Sequence, residues 1–186
     1  MKSNLIRLQN RLKKNLDSKR YFHSLRVAKL AAQIADICSA DRNAAYLAGL
    51  LHDCEKTHDI PDILARAKQY RLRLTTQYKV SPLLMHGPLG AITARKKYGV
   101  RNRQILNAIK NHTIGRIGMT KLEKIIYAAD YIEAGRRYAK GDRIRKQLFH
   151  DHDLNKAVRN KALLMLKYAK RRGWPENKTT LALAKK

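Results

Sequence analysis

The chain has 186 residues, enough for one domain with a real hydrophobic core, since roughly 150 residues already bury about 70% of the unfolded surface. Its 41 Lys and Arg against 14 Asp and Glu give a formal charge of +27, far more than one small anion requires, so a polyanion such as RNA is an expected secondary partner. Two cysteines without disulfide spacing, Cys38 and Cys54, and an N-terminal segment interrupted by charge every few positions argue against export or membrane insertion, so a reducing cytoplasm is expected.

Apolar residues recur at helical spacing almost throughout, and short alternating runs of Val, Ile and Thr are missing. The pattern predicts an all-α, compact single domain of about eight or nine helices over residues 1–186. Residues 20–137 carry the motifs, and 142–186 form C-terminal helices and a tail. A first helix is expected over 3–16. A second runs over 19–38 with Ser18 as cap and Phe22, Leu25, Ala28, Ala32 and Ala35 on one stripe, beside His23. Asp41 caps a third helix of small apolar residues that delivers His52 and Asp53 from its buried end. Pro61 fits the first turn of a fourth. Gly87-Pro88 should break the chain just after His86 and open a helix that Gly99 ends. The next helix, marked by Ile105, Leu106 and Ile109, ends at His112 before the turn from Gly115 to Gly118. Thr120 and Glu123 form a capping box for a helix that places Asp130 on its apolar face. Helices over 142–149 and 153–172 follow, with Gly173 as a stop before a tail from Trp174.

The dipeptide His-Asp occurs four times, so context must separate the copies. His150-Asp151 and His152-Asp153 lie in a polar stretch where Asp153 suits an N-cap, which makes them surface residues. His58-Asp59 precedes Pro61; Asp59 reads as a cap, while His58 could face a ligand on the side of Lys56. His52-Asp53 follows two apolar turns, and buried charge persists mainly when it is paired or bound to metal. Taken singly, His23, His86 and His112 suit ordinary helix ends. Together with His52, Asp53 and Asp130 they supply the imidazole and carboxylate donors that iron, manganese, cobalt or zinc accepts between packed helices.

The order His, His-Asp, His, His, Asp resembles the HD-domain phosphohydrolases. A narrower resemblance, to the YqeK-type branch, runs from about Arg20 to Thr180. It rests on Leu50-Leu51-His52-Asp53 with Lys56, His86-Gly87 with Gly90-Ala91, Ala108-Ile109 through His112-Thr113 and Gly115, and Lys124-Ile125 through Asp130-Tyr131-Ile132-Glu133 with Arg136. Pro175, Thr179 and Thr180 fall where that branch has a C-terminal Pro and Thr signature, though the run Trp174-Pro175-Glu176-Asn177 and the high basicity depart from it.

The resemblance implies a metal-dependent enzyme that cleaves diadenosine tetraphosphate symmetrically to two ADP, with iron or a similar metal pair. It further implies that His23, His52, Asp53 and Asp130 hold one metal and that Asp53 reaches a second held by His86 and His112. Arg20, Lys56 and Arg136 would meet phosphate, with Asp53, Lys56, His86 and His112 closest to the chemistry; His23, His58 and Pro175 complete the expected substrate contacts. Two alternatives stand beside it: an HD phosphohydrolase acting on other nucleotides or RNA ends, and a basic RNA- or ribosome-binding protein whose catalysis is demoted. Monomer and homodimer are both compatible with the sequence.

Overall fold

A computed structural model of the chain describes residues 2–136 and 139–185, so the motif boundary expected near residue 137 lies outside the described residues. Among them there is no strand, and eleven α-helices and one short 3-10 turn are present. They are α1 (Lys2–Asn15), α2 (Ser18–Ile37), α3 (Arg42–Leu51), α4 (Ile60–Gln69), α5 (Thr76–Val80), the 3-10 turn (Pro82–Met85), α6 (His86–Lys96), α7 (Arg103–Asn111), α8 (Lys121–Ile132), α9 (Ala139–Asp151), α10 (Leu154–Arg171) and α11 (Lys178–Lys185).

Short polar side chains start most of these helices. Asp17, Asp41, Asp59, Asn102, Thr120 and Asp153 each accept a hydrogen bond from a backbone N–H in the first turn, which satisfies donors that the helix itself leaves open. Asp17 takes this role for α2, and Ser18, expected as the cap, is the first helical residue. A carboxylate one residue earlier was the better acceptor for the Arg20 N–H, at 2.9 Å.

The helix count exceeds eight or nine for local reasons. Thr76–Val80 is too short to show a period, and the tail read as irregular folds into α11. There Asn177 accepts hydrogen bonds from the Thr179 and Thr180 N–H groups, and Leu183 packs with Met119, Tyr127, Val158 and Ala162. Gly87 and Pro88 do not break the chain: α6 starts at His86 and takes both into its first turn, where a proline lacks no needed donor. Phe22 is 54% exposed and lies off the buried stripe of α2, which runs through Val27, Ala28, Ala31, Ile34 and Ala35.

The main core joins α2, α3, α7 and α8 through Ala28, Ala31, Ala45, Ala48, Leu50, Leu51, Ile109, Ile125 and Ile126, all fully buried. Each buried Leu or Ile contributes about 1.5–3 kcal/mol relative to exposure. The alanines contribute less apolar area but permit a close approach. Gly49 takes that to its limit: a Cβ there would lie 2.9 Å from the Ala28 Cα, so α2 and α3 touch backbone to backbone. Gly87 does the same between α6 and α7, where a Cβ would lie 2.7 Å from the Lys110 carbonyl oxygen. These two contacts bring the helices that carry His23 and His52, and those that carry His86 and His112, within reach of one another.

Candidate metal centre

The six donors expected from the sequence converge. His23 comes from the second turn of α2, His52 is the C-cap of α3 with Asp53 in the following turn, His86 opens α6, His112 is the C-cap of α7, and Asp130 lies near the end of α8. Asp53 stands between two groups. Its Oδ1 lies 3.2 Å from His86 Nε2 and 3.5 Å from His112 Nε2; its Oδ2 lies 3.5 Å from His52 Nε2 and 3.8 Å from His23 Nε2. Asp130 Oδ1 closes the second group at 3.2 Å from His23 Nε2 and 3.6 Å from His52 Nε2. Two triads, His23 with His52 and Asp130 and His52 with Asp53 and His112, have their donor atoms close enough together to hold a metal ion.

The far side of each imidazole fixes what its near side offers. His52 Nδ1 donates to the Gly49 carbonyl at 2.7 Å, His86 Nδ1 to the Leu83 carbonyl at 2.6 Å, His112 Nδ1 to the Ile109 carbonyl at 2.7 Å, and His23 Nδ1 to Glu133 Oε1 at 3.0 Å. Those acceptors require a proton on each Nδ1, so in the neutral ring each Nε2 presents a lone pair to the cavity. The lone pairs face each other: His86 Nε2 is 3.0 Å from His112 Nε2, and His23 Nε2 is 3.3 Å from His52 Nε2. Asp53 Oδ1, fully buried, accepts no well-formed hydrogen bond. Acceptors converging on acceptors at van der Waals distance repel unless positive charge lies among them. The donor set therefore fits divalent cations, and mixed imidazole and carboxylate suits iron, manganese, cobalt or zinc.

Charge around the cluster follows the same logic. Burial alone would raise the Asp53 carboxyl, but His52, His112, His86 and Lys56 outweigh it and hold the group well below the usual carboxylate range. Asp130 is also held low against burial, by Arg136 first and then by His23, His52 and Lys161. Burial pushes His112 down to about 4, aided by its histidine neighbours, so it stands as a neutral donor near pH 7. Burial would lower His23 too, yet its hydrogen bonds with Asp130 and Glu133 raise it.

Basic side chains ring the opening. Lys56 Nζ lies 2.8 Å from Asp53 Oδ2, and Arg136 Nη2 lies 2.7 Å from Asp130 Oδ1. Arg20 donates to the Lys56 carbonyl and so sits at the same rim. A cleft of about 750 Å³ opens from the cluster, walled by Lys56, His86, Asp130, Arg136, Lys140 and Arg171. Next to it, sharing Leu84, Thr113, Met165 and Tyr168, is a more apolar slot of about 160 Å³ that Trp174 and Pro175 help to enclose. His58 is exposed on the loop before α4 and is not among the residues lining the cleft; Pro175 lines the apolar slot instead.

Two residues to which sequence reasoning gave no role, Glu133 and Lys161, lie against the cluster. Glu133, 1% exposed, accepts hydrogen bonds from His23 Nδ1–H at 3.0 Å and from Arg26 Nε–H at 2.6 Å, and these bonds bring its carboxyl down to about 2 against the opposing pull of burial. The acid three residues after Asp130 on the same helix face was the available signal. Lys161, 3% exposed, donates to the Tyr127 carbonyl at 2.5 Å and lies 3.9 Å from Asp130 Oδ2; burial pushes it down to about 8. Among fourteen Lys and Arg residues after position 138, nothing in the sequence singles it out.

Comparison with known proteins agrees with this geometry. The HD domain family matches residues 20–135. The chain is 39% identical over 155 residues to the "Bis(5'-nucleosyl)-tetraphosphatase, symmetrical" of Staphylococcus aureus, covering 83% of this chain and 79% of that one. It is 38% identical to the protein of the same name in Bacillus subtilis, covering 79% and 77%. A crystal structure described as a predicted HD superfamily hydrolase involved in NAD metabolism, from Clostridium acetobutylicum, superposes with a TM-score of 0.88 at 37% identity over 95% of this chain and 93% of that one. Its helices, its converging donors and these relatives together place the chain in the HD domain family, in the branch that holds the symmetrical bis(5'-nucleosyl)-tetraphosphatases.

Proposed function

We propose that this protein hydrolyses diadenosine tetraphosphate, or a close dinucleoside tetraphosphate, symmetrically to two nucleoside diphosphates. The observation that carries the reading is the set of four inward-facing Nε2 lone pairs around the unpartnered Asp53 Oδ1, at the base of a cationic cleft. The names of the relatives supply the substrate class.

His23, His52, Asp130 and Asp53 Oδ2 would hold one cation, and His86, His112 and Asp53 Oδ1 a second. When bound, such ions supply Lewis-acid charge and lower the pKa of a water toward neutrality. The rest is the work of the side chains. Lys56, Arg136 and, at the rim, Arg20 set positive charge against the phosphates and orient the central anhydride over the cluster. A water oxygen bonds to one of the two inner phosphorus atoms, the bond from that phosphorus to the central bridging oxygen breaks, and each half leaves as ADP. Nucleoside diphosphate is a good leaving group, so positioning and charge neutralisation suffice without a protein nucleophile. Cys54, buried with its thiol pushed above its ordinary range first of all by that burial, is unsuited to that role.

The apolar slot gives one adenine a place beside the phosphate cleft. Tyr168, Trp174 and Pro175 offer faces for the base, and the Tyr127 hydroxyl, buried without a hydrogen-bond partner, lines the same slot. The deciding experiment incubates the protein with diadenosine tetraphosphate and Fe(II), Mn(II), Co(II) or Zn(II), with products resolved by ion exchange. ADP as the sole product is expected. AMP together with ATP, or no turnover with any of the metals, overturns the proposal.

A further inference from the structure

Basic residues are spread along the whole chain, but acidic residues are not. Between Asp62 and Glu123 there is no Asp or Glu, while Lys and Arg occur thirteen times. The fold gathers part of this stretch onto one surface. Lys96 at the end of α6 lies with its Nζ 4.5 Å from the Tyr70 ring centre at the end of α4, which joins Lys68, Arg71 and Arg73 to Arg95 and Lys97. Tyr98, just beyond α6, meets α1: Arg11 stands 5.5 Å over its ring, and Asn15 Nδ2 donates to its hydroxyl at 3.0 Å. Lys13 and Lys14 thereby join the same end of the molecule, and Arg101 and Arg103 extend it into α7. All of these cations except the paired Arg66 of α4 are exposed.

Two ordinary explanations account for only part of this. Cations in the last turn of a helix complement its dipole, which suits Lys13, Lys14, Lys68, Arg95 and Lys96. Arg101 and Arg103, however, flank the N-terminus of α7, where the dipole opposes a cation, and Arg71, Arg73 and Lys97 lie outside any helix. Binding the small substrate does not explain them either. His86 opens α6 and Lys96 ends it, so this surface lies about 15 Å along the helix from the cluster.

We propose that the surface formed by the ends of α1, α4 and α6 and the start of α7 docks duplex RNA through its phosphates. The spacing and composition favour this occupant. Apart from the exposed Ile6, the apolar residues of α1 and α7 are buried or partly buried, which leaves these two helices no continuous hydrophobic face to enter a bilayer, and Tyr98 is too buried to stack on a splayed base. On α7 the exposed Gln104 and Asn107 interleave with Arg103 and Lys110, setting amide donors and acceptors among the cations as contact with 2′-hydroxyls across a shallow minor groove requires. The site goes beyond the hydrolase reading and does not depend on it.

The test measures binding of a labelled RNA duplex of about 20 base pairs by fluorescence anisotropy between about 50 and 200 mM salt. Neutralising about six phosphates predicts a slope of log K against log salt near −5. The triple variant Lys97→Gln, Arg101→Gln, Arg103→Gln should lower that slope by about 2–3 in magnitude and weaken binding about tenfold or more. A control with the same charge loss elsewhere, Arg143→Gln, Lys146→Gln, Lys167→Gln, should keep parental binding; both triples should melt as the parent does. Equal losses in the two triples, an affinity for a DNA duplex matching that for RNA, or loss of binding to anionic vesicles in place of RNA would each overturn the assignment. Asp53→Asn protein should hold RNA as the parent does, so failure here and failure of the hydrolase reading are separately visible.

Discussion

The two halves of the donor cluster are built from the same kinds of side chain but supported differently. In the half made by His23, His52 and Asp130, the Gly49 carbonyl holds His52, but charged side chains support the other two: Glu133 holds His23, Arg136 and Lys161 flank Asp130, and the His23 side chain keeps 12% exposure. In the half made by His86 and His112, both Nδ1 atoms are held by backbone carbonyls one turn back, and the helices are held by the Gly87 contact. Close packing holds the helices of both halves, and charged side chains are added to it in the first. The first should respond to changes of charge, and the second, which lacks such charged supports on its imidazoles, mainly to added volume.

Asp53 belongs to both halves, so its replacement should have the largest effect. Asp53→Asn keeps the volume but removes the negative charge between the two groups, and turnover should fall by at least about 10³-fold, a loss of several kcal/mol of stabilisation. Metal content by mass spectrometry should fall with it. Full metal occupancy in an inactive Asp53→Asn protein would separate ligation from chemistry and remove the bridging role.

Gly87→Ala tests the packed half alone. The new Cβ meets a backbone carbonyl oxygen, which cannot rotate away, so α6 must shift from α7. Overpacking of this kind costs about 1–3 kcal/mol, readable in a denaturant melt. The shift should also part His86 from His112 and weaken one metal-binding step in calorimetry while leaving the other. Equal weakening of both steps would show that packing does not act on one half.

Glu133→Gln makes the opposite test. The amide no longer supplies the charge that fixes the Nδ1 proton of His23, and loss of such a supporting acceptor typically lowers metal affinity about 10–100-fold. The step weakened by Gly87→Ala should be untouched. If Glu133→Gln and Gly87→Ala weaken the same step, the division of the cluster is wrong.

The same contrast explains what could be read from the chain beforehand. Asp41, Asp59, Thr120 and Asp153 announce helix starts because capping is a local interaction, and the helices they begin are where periodicity places them. The six donors were legible as a set because each stands out against an apolar stretch or a helix end. Glu133 and Lys161 were not, because their roles depend on partners more than a hundred residues distant for His23 with Glu133, and on burial that a basic helix such as α10 does not advertise. The apolar slot was hidden for a similar reason: Trp174 and Pro175 look like a tail until α11 folds back against α8 and α10.

The smallest expected effect concerns the tie between the halves. Glu123 completes the capping box that opens α8 and also accepts from Asn111 at the end of α7 and from Arg116, so it joins the helix of Asp130 to the helix of His112. Burial would raise its carboxyl, but Arg116, Thr120 and Asn111 together bring it below its ordinary value of 4.5. A carboxyl lowered on folding stabilises the native state above its unfolded pKa, and that contribution is lost as the pH falls through the folded value. Acid should therefore loosen this tie only below about pH 4.5, and Glu123→Gln should flatten the fall of melting temperature in that window while costing about 1–2 kcal/mol at neutral pH. Because Asn111 and Thr120 can still bond to the amide, both metal-binding steps should persist, each slightly weakened. An unchanged acid limb in the melting curve would show that Glu123 does not link the two halves through its charge.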